Sequence, residues 1–392
     1  MTPATSLPPA DPELPELGVL LGDDAGALLE AAVQEPVAQT RLRQVRYDPG
    51  RSVTATYSAV LDGVSQGVTL CAHAGRDLPA NAAIVEDGAS RVAVWRFPHD
   101  PKLPGLPHAV QPDLLKSLLA EVGADYPIQL IKTRSYRPRR RAVIEVVTER
   151  HRLFVKVVRP SRVAALQAAH ITVAGELRVP RSLGWSRELG IAILETVPGS
   201  TMRRAIEAGD ATLPAPAELS DFLSRMPTLP HERPGLIERL DVHSRFLATI
   251  LPREAERLTE MVEAIGQAPS ERLVAAHNDL HSAQVIVSEG RINGLIDIDT
   301  VGMGRRADDY AMLLGHLFTL ALVSGRGQAF AAYGSQLLSA FEGDVDRVSI
   351  RLRTAAAVIS FATGPFRAQQ PDWPSSTAKR LTAAEQWLKN AG

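Results

Sequence analysis

The stretch "HNDLHSAQVIV" (277–287), followed after a short gap by "GLIDIDT" (294–300), most narrows what this chain can fold into. It puts Asp279, Gln284, Asp297 and Asp299 within a few turns of one another, on segments that otherwise read as buried β-structure. "RLVAA" leads in as a strand, "HNDLHSA" is a loop and "QVIV" resumes the alternation. "SEGRIN" is a hairpin turn, and "GLIDID" returns as the partner strand. A buried acid costs several kcal/mol unless something cationic meets it. The candidates are a basic side chain, a metal ion, or exposure on a loop.

The strand–loop–strand reading brings the loop carrying Asp279 beside the end of the strand carrying Asp297, with the amide of Gln284 between them. A hard divalent cation such as Mg²⁺ takes oxygen ligands, usually one or two carboxylates, with water and substrate phosphates making up the rest. Asp297 and Gln284 are oxygen donors of that kind. Asp279 is then left to orient an attacking hydroxyl and accept its proton. Such a set, which positions groups and neutralises charge with little covalent chemistry, is what phosphoryl transfer requires. That chemistry also needs a lysine on a strand upstream, and Lys156 in "FVKVV" is one. A later apolar strand, "IAILETVPG", runs through Glu195, Thr196 and Val197 into a Pro-Gly break, as a hinge between two lobes would.

At 392 residues the chain predicts two or three domains. "FPHDPKLPGLPHAVQP" (97–112), with five prolines in sixteen residues, reads as a boundary. The expected division is an N-terminal cap over 1–112, a β-rich ATP-binding lobe over 113–195, and a helical lobe over 196–392 with the catalytic loop and acceptor site. "YDPGRSVTATYSAV" (47–60) resembles "YRPRRRAVIEVVTE" (136–149), each followed by a second strand. The second copy carries Lys156, and the first has no lysine there, so the cap reads as a degenerate hairpin of the same type.

Net charge is −1, which gives no sign of a nucleic-acid partner. The lone Cys71 excludes an intrachain disulfide framework and fits a reducing compartment. "MTPATSLPPADPELPELG" lacks the basic and apolar regions of a signal peptide and reads as a loose Pro-rich lead-in. "YAMLLGHLFTLALVSG" (310–325) is shorter than a membrane span and reads as a buried core helix. These features together predict a cytoplasmic protein with no membrane partner.

On these residues the chain resembles the aminoglycoside phosphotransferase and choline kinase-like family, nearer its actinobacterial sugar-kinase-type members. "HNDLHSAQ" is similar to that family's H-G-D-L-H-x-x-N loop, "LIDID" to its I-D-x-[DE] segment, and "RADDYAML" to its following helix start. The resemblance spans roughly 115–390 and includes "PFRAQQPDWP" (365–374). It implies an α+β, protein-kinase-like bilobal fold, with a β-rich N-lobe, a mainly helical C-lobe and an extra N-terminal cap.

The resemblance also implies ATP and Mg²⁺ as cofactors. Asp279 would be the catalytic base, Gln284 and Asp297 metal ligands, Lys156 the phosphate anchor, and the Glu195 and Val197 backbone the adenine contact. Asp299 matches the second acid, His277 would be a structural hydrogen-bonder, and Asp309 a helix cap. The implied activity is transfer of the γ-phosphate to a hydroxyl of a sugar, amino sugar or aminoglycoside-like small molecule. The alternative is a catalytically weak pseudokinase that binds nucleotide or a partner.

Three positions depart from the pattern. Gln284 replaces Asn, and "YRPRRRA" stands where a Gly-rich loop is expected. The helix after Lys156 has no Glu to pair with the lysine, which leaves Gln167 or His170 to substitute.

Overall fold

The computed structural model describes residues 10–22, 25–74, 78–87, 90–209 and 212–392. Residues 1–9 of the expected lead-in lie outside them. From residue 10 the lead-in is built into the fold, with Leu14 and Leu17 wholly buried.

The chain begins with α1 (Glu16–Leu21), α2 (Ala25–Val33) and five strands: β1 (Ala38–Asp48), β2 (Ser52–Leu61), β3 (Val64–His73), β4 (Ala83–Asp87) and β5 (Ser90–Arg96). They form one antiparallel sheet in the order β1-β2-β3-β5-β4. A second unit follows, with α3 (Leu106–Val110), α4 (Pro112–Glu121), β6 (Ile128–Arg137), β7 (Arg141–Thr148), β8 (Arg152–Val158), α5 (Pro160–Ala174), β9 (Ser182–Ser186) and β10 (Ile191–Glu195). Its sheet runs β6-β7-β8-β10-β9, again antiparallel. Valine and isoleucine fill the inward positions of β7 and β8, where branched side chains suit a pleated, buried surface.

The two sheets have the same strand order, and the likeness extends to individual hydrogen bonds. Asp11 accepts from the Tyr47 hydroxyl (2.6 Å) and the Gly50 amide (2.8 Å). Asp100 accepts from the Tyr136 hydroxyl (2.8 Å) and the Arg139 amide (2.7 Å). Each aspartate also takes the amide two residues on, Glu13 or Lys102. The sequence carries the same pairing, "DPELPEL" (11–17) against "DPKLPGL" (100–106). The likeness therefore begins upstream of the hairpins, inside the proline-rich stretches that read from sequence as lead-in and boundary. In the second copy the boundary stretch belongs to the sheet's own core, with Leu103, Leu106 and Ala109 buried against Ile144, Val155 and Val157.

The copies differ where it matters for chemistry. Each has a Pro-centred turn between its first two strands, closed by Arg51 N–H to Asp48 O (3.0 Å) or Arg140 N–H to Arg137 O (3.0 Å). The residue after proline has positive φ in both, +68° at Gly50 and +62° at Arg139. Glycine adopts that conformation freely, whereas arginine does so at a cost of about 1–3 kcal/mol. The helix α5, inserted after β8, has no counterpart among the described residues of the first unit.

The remainder is mostly helical. It comprises β11 (Ser200–Thr201), α6 (Met202–Ala208), α7 (Pro216–Ser224), α8 (Leu240–Ile250), α9 (Ala255–Gly266), β12 (Leu273–Ala276), β13 (Val285–Ser288), β14 (Arg291–Leu295), β15 (Gly302–Arg305), α10 (Arg306–Val323), α11 (Gly327–Phe341), α12 (Arg347–Ala362), α13 (Gly364–Arg367) and α14 (Trp373–Lys389). α10 is buried on nearly every side, and Tyr310 stacks on Phe341 with centroids 3.8 Å apart. Among the described residues no helix is long and apolar enough to cross a membrane. The first sheet is docked on this helical region: Tyr47 meets Phe246 (6.0 Å), Phe246 meets Phe366 (5.7 Å), and Phe366 meets Trp373 (4.9 Å).

Asp100, 4% exposed, fastens the β6–β7 turn. Hydrogen bonds to a charged acceptor contribute about 1.5–3 kcal/mol each, and this carboxylate takes three. Asp100→Ala is expected to lower stability by about 3 kcal/mol, read as a shifted urea midpoint at unchanged slope. A loss below about 1 kcal/mol would show that the carboxylate does not hold the turn.

Candidate active site

The strand–loop–strand reading of residues 272–295 is close to what forms. β13 and β14 pair through a two-residue turn at Glu289 and Gly290, both with positive φ, and β12 pairs with β15. The second strand is shorter than expected and stops at Leu295, so Asp297 and Asp299 lie on an irregular segment ending in a 3-10 turn. Asp297 itself has φ +59°. The Ile296 amide donates to the Gln284 carbonyl (2.9 Å), which pins the acidic segment to the end of the catalytic loop.

Buried polar contacts hold that loop from below. Asp309 accepts from the backbone amides of His277 (2.8 Å) and Asn278 (2.7 Å), with Arg306 beside it at 3.4 Å. It was expected to cap α10. Instead it sits inside the first turn, and the cap position, Arg305, makes no side-chain cap bond. Asp309 is wholly buried because its work is to tether the loop. Asn278, at φ +63°, donates through its amide to Ala276 O (3.0 Å) and Thr300 O (3.2 Å), and so joins the loop to the acidic segment. Gly304 lies so close to the Asn278 amide oxygen that any Cβ there would overlap it. The His277 imidazole faces the Ile296 carbonyl at 3.3 Å.

Lys156 lies on β8, 4% exposed, opposite Ala192 in register. Its ammonium contacts Asp297 (2.8 Å) and, more closely, Asp299. Arg141, first residue of β7, adds a two-pronged contact to Asp297 (2.9 Å to each oxygen) and a bond to Asp299 (3.2 Å). Two cations from the sheet thus meet two acids from the helical lobe. Neither Gln167 nor His170 replaces the missing helix glutamate. The His170 ring bonds the Pro180 carbonyl (2.9 Å), the buried Gln167 oxygen has no partner among the described residues, and Asp299 pairs with the lysine.

Burial alone would push the Asp297 pKa up, but the charges of Lys156 and Arg141 outweigh it and hold the group well below the carboxylate range. The half-buried Asp279 has no hydrogen-bond partner among the described residues, and the Arg137 and Arg141 guanidinium groups face it.

Gln284 is 2% exposed. Its side-chain oxygen accepts the His281 amide (3.0 Å) and its Nε2 has no partner among the described residues. An amide oxygen has two lone pairs, so one remains for a cation. Asp297 and the Gln284 oxygen form a hard donor set, which fits Mg²⁺. Among the described residues there is no cluster of three or more His, Cys, Asp or Glu side chains that could hold a metal alone. His281 packs on His316 (4.8 Å between centroids), and burial lowers the pKa of both imidazoles.

At the hinge, the Glu195 side chain points outward into a two-pronged pair with Arg181 (2.7 and 2.8 Å), and its amide donates to Arg181 O (2.9 Å). Val197 is 6% exposed, and its amide donates to no acceptor among the described residues.

The chain belongs to the phosphotransferase enzyme (APH) family, whose sequence model matches residues 139–346. No curated protein matches it by sequence. Similar solved structures include the choline kinase LicA from Streptococcus pneumoniae, with 14% identity, coverage of 71% of this chain and 99% of that one, and a TM-score of 0.47. Another is the gentamicin–APH(2")-IIa complex, with 15% identity, 71% and 98% coverage and a TM-score of 0.49. The aminoglycoside phosphotransferase APH(3'')-Id from Streptomyces rimosus ATCC10970 shows 22% identity, 63% and 97% coverage and a TM-score of 0.44. The family makes this protein a phosphotransferase with a hydroxyl acceptor.

An acid held below its ordinary pKa stabilises the fold above its unfolded value and loses that contribution as pH falls. For Asp297 the unfolded value is about 3.9, so the stability its ion pairs contribute should be fully present at neutral pH and decline below about pH 4, as the unfolded chain takes up the proton first. Urea midpoints taken across about pH 3–5 (roughly one unit on either side of the unfolded value) should therefore fall more steeply towards acid for the wild type than for Asp297→Asn. Parallel curves would show that Asp297 is not the group that couples the lobes to pH.

Proposed function

We propose that this enzyme transfers the γ-phosphate of ATP, with Mg²⁺, to a hydroxyl of a small molecule of the sugar, amino-sugar or aminoglycoside-like class. The observation that carries this reading is the meeting of Lys156 with Asp297 and Asp299 across the lobes, beside the unpartnered carboxylate of Asp279. In this reading the Glu195 carbonyl and the Val197 amide take the adenine edge, and Lys156 takes the phosphates. Asp279 orients the acceptor hydroxyl and receives its proton as the oxygen attacks. Asp297 and the Gln284 oxygen would hold Mg²⁺, which when bound neutralises charge on the phosphates.

Arg141 bears on a second reading. Its two prongs occupy both oxygens of Asp297, as they would if the chain were a catalytically weak nucleotide- or partner-binding module. In the kinase reading ATP phosphates draw Arg141 and Lys156 off the acids, since both cations can transfer to phosphate oxygens.

Asp279→Asn should keep nucleotide affinity and slow Mg²⁺-dependent turnover by about 10²–10⁴-fold, the usual contribution of a general base. Gln284→Asn, one methylene shorter, should raise the Mg²⁺ concentration for half-maximal rate, and Asp297→Asn should nearly abolish turnover. Nucleotide binding without turnover by the wild-type protein, across sugars, amino sugars, aminoglycosides and choline-like amines, would favour the binding module. Wild-type rates in Asp279→Asn would remove Asp279 from the role of base.

A further inference from the structure

Five arginines from three parts of the fold converge beside the site without ion-pair partners among the described residues: Arg46, Arg137, Arg140, Arg159 and Arg367. The contacts that bring them together are on separate elements. Arg137 and Arg141 face each other in register across the base of the β6–β7 turn, and Arg140 lies in that turn. The Arg159 guanidinium donates to the Arg139 carbonyl (2.6 Å), which fixes it under the same turn. The short helix α13 packs on β1 and so brings Arg367 to the strand carrying Arg46. Arg367 also lies over the Phe246 ring, 5.1 Å from its centroid.

Solvent reaches Arg46, Arg137, Arg140 and Arg159, and Arg367 is half-buried. They form a charged surface patch rather than a closed core. Protein crowds them enough, and they crowd one another enough, that burial first and like charge second lower the pKa of Arg140 and Arg367 to about 10. Asp48 is the acid that opposes this repulsion at Arg46 and Arg367, while Asp279 and Asp297 do so at Arg137. The positive charge of the patch is therefore under-compensated.

Register locates the patch relative to Lys156. On β8, Leu153 pairs with Glu195 at the hinge, Lys156 lies three residues on, and Arg159 three residues beyond Lys156. At about 3.3 Å per residue, the cluster begins roughly 10 Å past the phosphate-binding lysine, on the side away from the hinge. Arg137 is near enough for the charges of Asp297 and Asp279 to oppose the lowering of its pKa. Arg46 and Arg367 extend the cluster towards the first sheet and the C-terminal helices.

We infer that this arginine cluster is an anion-binding subsite for the acceptor, and that the acceptor is a hydroxylated small molecule bearing a phosphate or carboxylate. The inference rests on the kinase reading for the role of Asp279. The anion would sit among Arg46, Arg140 and Arg367, with the hydroxyl turned towards Asp279. Guanidinium groups bind both anions through paired N–H donors, and the bound charge relieves the mutual repulsion. A polycationic aminoglycoside would meet the opposite field. The phosphates of ATP are the other source of the same chemistry.

The test uses the full-length protein and the double variant Arg46→Gln/Arg367→Gln, first with no nucleotide and with a metal chelator present. Inorganic phosphate should raise the melting temperature of the wild type above that in chloride of matched ionic strength, and the double variant should lose this shift. Without phosphate the double variant should melt at or above the wild-type temperature, because two mutually repelling charges are gone. Arginines with a merely structural role would lower it.

In the second arm, acceptors matched in hydroxyl pattern but anionic, neutral or cationic are compared. Turnover should favour the anionic set. KM for the acceptor should rise about 10-fold or more in the double variant, with ATP affinity unchanged. Equal phosphate stabilisation of both proteins, a parallel loss of ATP affinity, or preference for a cationic acceptor would each overturn the assignment. If the chain were no kinase, the phosphate arm would still stand while turnover failed for every acceptor.

Discussion

Two carboxylates on the acidic segment, Asp297 and Asp299, lie where the two lobes meet, and the rest of the arrangement follows from satisfying them. Their side chains are only 25% and 20% exposed, too enclosed for water alone to carry the charge. Lys156 and Arg141 reach them from adjacent strands of the second sheet. This contact fixes the closure of the sheet over the helical lobe and the position of the lysine. A partly buried ion pair adds little net stability once desolvation is counted, but removing one partner leaves a costly lone charge. The cluster therefore sets geometry more than it adds stability. It also holds the Asp297 pKa well below the carboxylate range, so that acid stays ionised at neutral pH.

The first sheet shows what the second would be without that chemistry. Its strand order is the same, and the same aspartate–tyrosine–turn brace holds its hairpin. Cys71 on β3, paired with Thr54 and Ala93, stands where Lys156 pairs with Val143 and Ala192 in the other copy. Its turn has the relaxed glycine and, in place of a catalytic contact, an aromatic seam to Phe246. One copy closes on acids and the other on a hydrophobic core. Docking of the first copy places Arg46 and Asp48 on the strand that packs against α13.

Much of this was legible in the sequence because the chemistry is local. The loop, the hairpin after Gln284 and the strand carrying Lys156 are each specified by alternation and turn residues within a dozen positions. The tether role of Asp309 was not legible, because a helix-start acid reads as a cap until the loop amides are seen above it. The pairing of Lys156 with Asp299 depends on closure between segments far apart in sequence. The reading of the prolines as lead-in and linker missed Asp11 and Asp100. The signal was present in "DPELPEL" and "DPKLPGL", but proline density masked the two aspartates that organise the turns.

The β6–β7 turn shows most directly how this site departs from a glycine-rich phosphate loop. A glycine loop offers backbone amides, which must approach the anion closely and carry only partial charge. Here the corresponding turn uses its αL amide on Asp100, so Arg139 donates inward to the protein and not to a ligand. What the turn presents outward is side-chain guanidinium, longer in reach and fully charged. Strain at Arg139 is tolerated because Asp100 holds its amide and Arg159 its carbonyl. Exchanging backbone for side-chain donors moves the anion-binding capacity of the turn away from the sheet surface. That capacity then rests on Arg140, exposed in the turn, and on the Arg159 guanidinium fixed beneath it.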